Sequence, residues 1–153
     1  MTLNTTGFNN VAVGSAALTN NTVGEANTAL GLSSMYSNLG GSKNTAVGFV
    51  SLYSNQTGFE NTAVGDAALY TAKTASGNTA VGHNALYRTT TGGQNTAVGT
   101  WALQDNTEGF NNVYLARDGE ELLTKVVEVA PKVVFAMSDM SKISGIEFVR
   151  TIR

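Results

Sequence analysis

A chain of 153 residues with a net charge of −2 and only 13% charged residues has the length of one domain, and its surface must be built largely from Asn, Thr, Ser and Gly. That balance offers no basic footprint for nucleic acid or an anionic membrane, and the absence of cysteine excludes disulfides, thiolate metal sites and a thiol nucleophile. No run approaches the roughly 18 apolar residues that span a bilayer, and the first residues, MTLNTTGFNN, lack the basic start and apolar run of a secretory leader, so synthesis in the cytosol is expected.

Residues 1–9 read as the back half of an incomplete unit, because Gly7 is in phase with Gly24, Gly41, Gly58, Gly92 and Gly109. From Asn10 onward Asn-Thr-Ala-Val-Gly, or a close variant, recurs every 17 residues, at Asn10, Asn27, Asn44, Asn61, Asn78, Asn95 and Asn112. Seventeen residues are too few for a helix-turn-helix repeat of about 34 and suit one coil of a parallel β-solenoid, each Thr-Ala-Val strand pairing with the same strand of the next coil. Seven coils at about 4.8 Å make a rod roughly 34 Å long.

Equivalent positions form rows along that rod. The row Val13, Leu30, Val47, Val64, Val81, Val98, Leu115 and the row Leu18, Met35, Leu52, Leu69, Leu86, Leu103 are the expected interior. Period-two alternation then turns Thr28, Thr45, Thr62, Thr79 and Thr96 inward with the valines, which counts against an ice-binding threonine ladder. It also turns Ala29, Ala46, Ala63, Ala80 and Ala97 to the other face, where small side chains suit close packing against another subunit. The glycine after each valine marks a turn or a close backbone approach. The second glycine row, after stretches such as Ser54-Asn55-Gln56-Thr57, marks an exposed loop, with Ala75 as the one break in the row. The Asn row is expected to form a hydrogen-bonded amide ladder. Tyr36, Tyr53, Tyr70 and Tyr87 form an aromatic column suited to packing, to a groove between subunits or to stacking on sugars.

The repeat ends near residue 116, and charge becomes dense beyond it, with the only proline, Pro131. Residues 117–153 are expected to form a β-rich capping, trimerisation or docking module. Its β-rich runs are Lys125–Val129, Lys132–Met137 and Gly145–Arg153, with a turn into a short helix at Asp118–Leu123.

The units NTAVGFVSLY, NTAVGDAALY and NTAVGHNALY resemble the head repeats of trimeric autotransporter adhesins and related repeats in phage tail-fibre and other virion fibre proteins. The resemblance covers the repeat region and implies a left-handed parallel β-roll, an all-β fold assembled as a homotrimer. Without a secretory leader, a long heptad stalk or a C-terminal membrane barrel in the sequence, the virion branch is the expected one. It makes the chain a non-enzymatic fibre, spike or capsid decoration, docked to capsid or tail proteins through residues 117–153. The alternative is an adhesin head at the bacterial surface that binds a host receptor or glycan.

Chemistry is sparse. His83 is the sole histidine, one coil from Asp66 in the same row, whose other members Leu32, Phe49 and Thr100 supply no further ligand with metal-binding strength. No nucleophile motif accompanies the histidine, no phosphate-binding glycine pattern appears, and Glu60 and Asp66 are the acidic residues of the middle coils. No catalytic, cofactor or metal site is expected.

Overall fold

A computed structural model describes residues 3–115 together with Val134 and Phe135. Eight short strands form a single parallel sheet in chain order: β1 (Val11–Val13), β2 (Thr28–Leu30), β3 (Thr45–Val47), β4 (Thr62–Val64), β5 (Thr79–Val81), β6 (Thr96–Val98), β7 (Val113–Leu115) and β8 (Val134–Phe135). From β1 to β7 each residue pairs with the one 17 places on, as in Ala46↔Ala63, so the fold is an all-β parallel solenoid with one repeat per coil. The sheet also runs past residue 116. Tyr114 pairs with Val134 and Leu115 with Phe135, which places part of the expected Lys132–Met137 run beside the last repeat strand. The other C-terminal elements expected from sequence lie outside the described residues.

The interior differs from the expected one in which strand face it takes. Leu18, Met35, Leu52, Leu69 and Leu86 are fully buried as expected, but Ala29, Ala46, Ala63, Ala80 and Ala97 are fully buried opposite them, within one chain. The Val and Thr rows point outward. Val13 and Leu30 are 53% and 45% exposed, and Val47, Val64, Val81 and Val98 are half-buried beside half-buried threonines. The alanine row is therefore interior and cannot be the face that meets another subunit. Hydropathy ranks valine above alanine for burial, but a 17-residue coil is narrow. With a Leu or Met from the opposite wall and two columns of amides inside, a methyl fits where an isopropyl group does not.

Each coil turns on residues with left-handed backbone. Besides the glycine after the strand, positive φ recurs at three positions per coil, for example Val50 (46°), Leu52 (51°) and Glu60 (57°) in one and Ala67, Leu69 and Gly77 in the next. For an L-residue this conformation costs about 1–2 kcal/mol. The glycine after each strand sits at φ 126–137°, and a Cβ there would run into the carbonyl of the glycine in the next coil, so any side chain is excluded.

Asparagines hold the coils together. In the Asn10–Asn112 column each residue donates its backbone N–H to the Oδ1 of the asparagine one coil before, as Asn61 does to Asn44 at 3.0 Å. Its Nδ2 donates to the same oxygen (3.1 Å) and to a carbonyl 14 residues on, that of Ala75 for Asn61 (2.7 Å). These amides are buried, and the column satisfies in a narrow interior what would otherwise be costly unpaired polar groups.

Candidate functional site

The tyrosine column is formed as its spacing suggests. Tyr36, Tyr53, Tyr70 and Tyr87 are half-buried, and successive rings lie 5.1–5.3 Å apart at interplanar angles of 5–9°. Each inner ring therefore has another ring against both faces. Stacking on a sugar requires a free face, which only the end rings of the column can turn to solvent, so the inner tyrosines are suited to packing and edge contacts.

The outer strand face is the broader surface. Every coil contributes one residue of the Thr row and one of the Val row, in register, and no charged side chain occurs in either row. Past the glycine the next row exposes Leu32 and Phe49, 51% and 53% exposed, together with Asp66 and His83. The orientation that counted against an ice-binding ladder is thus reversed, although the face alternates hydroxyl-bearing and aliphatic rows instead of presenting threonine alone. An uncharged face with aliphatic side chains in register is suited to being covered by another chain.

On another side, Phe8, Phe59 and Phe110 project into solvent at every third coil. The sequence signal for them is Gly-Phe-x-Asn at 7–10, 58–61 and 109–112, a longer period inside the 17-residue one that the row-by-row reading passes over.

A second amide column was also missed. Asn21, Asn38 and Asn55 donate Nδ2 to the Oδ1 of Asn4, Asn21 and Asn38 at 2.6–2.8 Å, and all four asparagines also donate to the carbonyl of the glycine three residues later, as Asn55 does to Gly58 at 3.1 Å. The sequence signal was four asparagines 17 apart. This corrects the reading of the second glycine row as an exposed loop: Gly24, Gly41 and Gly58 are buried, and a Cβ on them would strike the Oδ1 of the column asparagine.

The polar residues considered for chemistry stay apart. His83 is exposed, with its ring 6.0 Å from that of Trp101. Glu60, before β4, pairs with Lys43 at 3.6 Å, while Asp66 lies beyond the other end of the strand. Arg88 and Asp105 form a second inter-coil pair at 3.2 Å. Among the described residues no three His, Asp or Glu side chains come together as metal ligands would, and no helix is long and apolar enough to cross a membrane. The chain matches no family model, no curated protein and no solved structure at a significant level.

Proposed function

We propose that the chain is a non-enzymatic structural protein of a virion, a short homotrimeric fibre, spike or capsid decoration whose coils wind left-handedly. The observation that carries this reading is the uniform outer strand face. It repeats a Thr and a Val from β3 to β6, carries Thr28 and Leu30 in β2 and Val11 and Val13 in β1, bears no charge in those two rows and leaves Val11, Val13 and Leu30 exposed. Like chains bring no like charges together when such rows meet, and the exposed apolar area is favourable to cover, at roughly 25 cal/mol per Å². In this reading the subunit contact lies on the Thr/Val face, in place of the buried alanine row, and residues 117–153 cap the rod and dock it to capsid or tail proteins. The resemblance of the NTAVG units to virion fibre repeats supports the assignment to a virion, and the rod form supports a spacer or decoration.

Sedimentation tests the assembly directly. A particle of three times 15.9 kDa is expected, with Val64→Lys shifting it toward monomer; a wild-type mass of 15.9 kDa overturns the trimer. Imaging of purified particles at residue-level resolution tests the location, and absence of the chain from them overturns the virion assignment.

A second reading, a host-receptor or glycan-binding head, draws support from Phe49, Asp66 and His83, which are exposed and differ from coil to coil in one row. It requires binding at that row or at the edges of the tyrosine column. A glycan array and a cell-surface binding assay, both without signal, overturn it.

A further inference from the structure

We infer that the tyrosine column is an oxidative cross-linking site, at which a one-electron oxidant of the peroxidase or photosensitiser class joins consecutive coils through dityrosine. Tyr36, Tyr53, Tyr70 and Tyr87 follow one another with centroids 5.3, 5.1 and 5.1 Å apart and planes within 9° of parallel. Side chains repeated so closely by the coil set the ring carbons beside each phenol opposite the same carbons of the next ring. All four are half-buried, so part of each ring stays open to a small oxidant while the rest is held against the coil. Among the described residues the one other ring contact, His83 with Trp101, is tilted by 54° at 6.0 Å and offers no second phenol. The fifth tyrosine, Tyr114, pairs with Ala97 in the sheet and stands outside the column.

Each of two neighbouring phenols gives one electron to the oxidant and its hydroxyl proton to water. The phenoxyl radicals carry unpaired spin on the ring carbons beside the oxygen, and a carbon–carbon bond forms between one such carbon of each ring. The hydrogen on each of those carbons then moves to the phenol oxygen as the rings regain aromaticity. The chain loses two hydrogens per link, and two equivalents of oxidant are reduced. A bond of about 1.5 Å is shorter than the stacking distance, so the two side chains tilt together on their open side. The link forms within the chain because a neighbouring ring is held at an effective concentration that a second chain in dilute solution does not reach. It closes a loop of 17 residues that survives loss of the hydrogen bonds, and it restricts the unfolded chain as a disulfide does. With no cysteine in the sequence, this is a covalent staple that the repeat itself positions. The inference concerns contacts inside one chain and stands independently of the trimer.

The test is brief irradiation of the full-length protein with a ruthenium polypyridyl sensitiser and persulfate, followed by mass spectrometry of the denatured chain and of its tryptic peptides. Trypsin cleaves after Lys43, Lys73 and Arg88, which puts Tyr36 in peptide 1–43, Tyr53 and Tyr70 in 44–73 and Tyr87 in 74–88. Dityrosine fluorescence is expected, from a denatured chain that stays at 15.9 kDa less two hydrogens per link. Peptide 44–73 should be joined to 1–43 or to 74–88, or be short of two hydrogens by itself, and the denaturation midpoint should rise. Tyr53→Phe with Tyr70→Phe keeps four stacked rings but leaves no two phenols adjacent, and the dityrosine yield should fall at least about tenfold. Tyr36→Phe with Tyr87→Phe should confine the link to peptide 44–73. The wild-type peptide map decides the inference without either variant, so their folding is not at stake. No dityrosine, links chiefly between chains or at Tyr114, an undiminished yield in the Tyr53→Phe, Tyr70→Phe protein, or an unchanged midpoint overturn the inference.

Discussion

Two columns of asparagine run through the same coils and end differently. The Asn10–Asn112 column is continuous, and the Oδ1 of each member from Asn10 to Asn78 receives two donors from the next coil. The other column runs from Asn4 to Asn55 and stops at Ala72, and Asn55 Oδ1 is left buried without a partner. In the coil where the asparagine is replaced, the glycine three residues later is replaced as well, by Ala75. The following coil also replaces the asparagine, by Thr89, but keeps Gly92. A Cβ on the glycines at 24, 41 and 58 would meet both the asparagine amide and a backbone carbonyl one coil on, and Gly92 keeps the carbonyl contact beside Thr89.

The contrast between the columns can be broken most severely on the continuous side. Asn61→Ala removes the side chain that joins Asn44, Ala75 and Asn78 and strands buried donors on Asn78, so a loss of about 4 kcal/mol in chemical denaturation is expected. Gly65→Ala places a Cβ against the Gly82 carbonyl at a φ of 132°, and about 3 kcal/mol is the expected cost by the same measurement. On the interrupted side, Ala72→Asn alone sets an amide against the Ala75 methyl and is expected to be neutral or destabilising. Ala72→Asn with Ala75→Gly restores the rung to Asn55 and is expected to gain about 1–2 kcal/mol over the single change, measured as a double-mutant cycle. The smallest effect concerns the corners. Val50 is β-branched at a φ of 46°, where the next coil but one carries Asn84, and Val50→Asn is expected to raise stability by about 1 kcal/mol, seen as a higher denaturation midpoint.

The same particulars show what the sequence discloses. Strand register, the Leu18–Leu103 row and the continuous amide column follow from a period that never slips, because a parallel solenoid turns sequence spacing directly into neighbours. Which strand face is interior does not follow from alternation alone. Thr and Val were correctly placed together, but the choice of face depended on the width of the coil, which only the closed ring of backbone sets. The left-handed corners were hidden because Lys43, Glu60, Leu52 and Val50 are not residues that favour that conformation; the tertiary stack imposes it on them. The second amide column was visible as spacing and obscured by its early end at Ala72. The candidate surface was legible only in part, since its rows were named from sequence with the wrong one of them turned outward.

The amide columns also give the rod an electrical direction. Backbone hydrogen bonds between coils point both ways along the axis, from Thr28 forward to Asn44 and from Gly31 back to Val13. The amide-to-amide bonds of the asparagine side chains all run one way, from Nδ2 to the Oδ1 of the coil before, so each Oδ1 faces the coil after. Their dipoles add, as peptide dipoles do along a helix, with the positive pole at the Asn10 end and the negative pole at the Asn112 end. Rods lying side by side are accordingly favoured head to tail when free in solution, so a bundle with all ends aligned has to be held by contacts strong enough to overcome that preference.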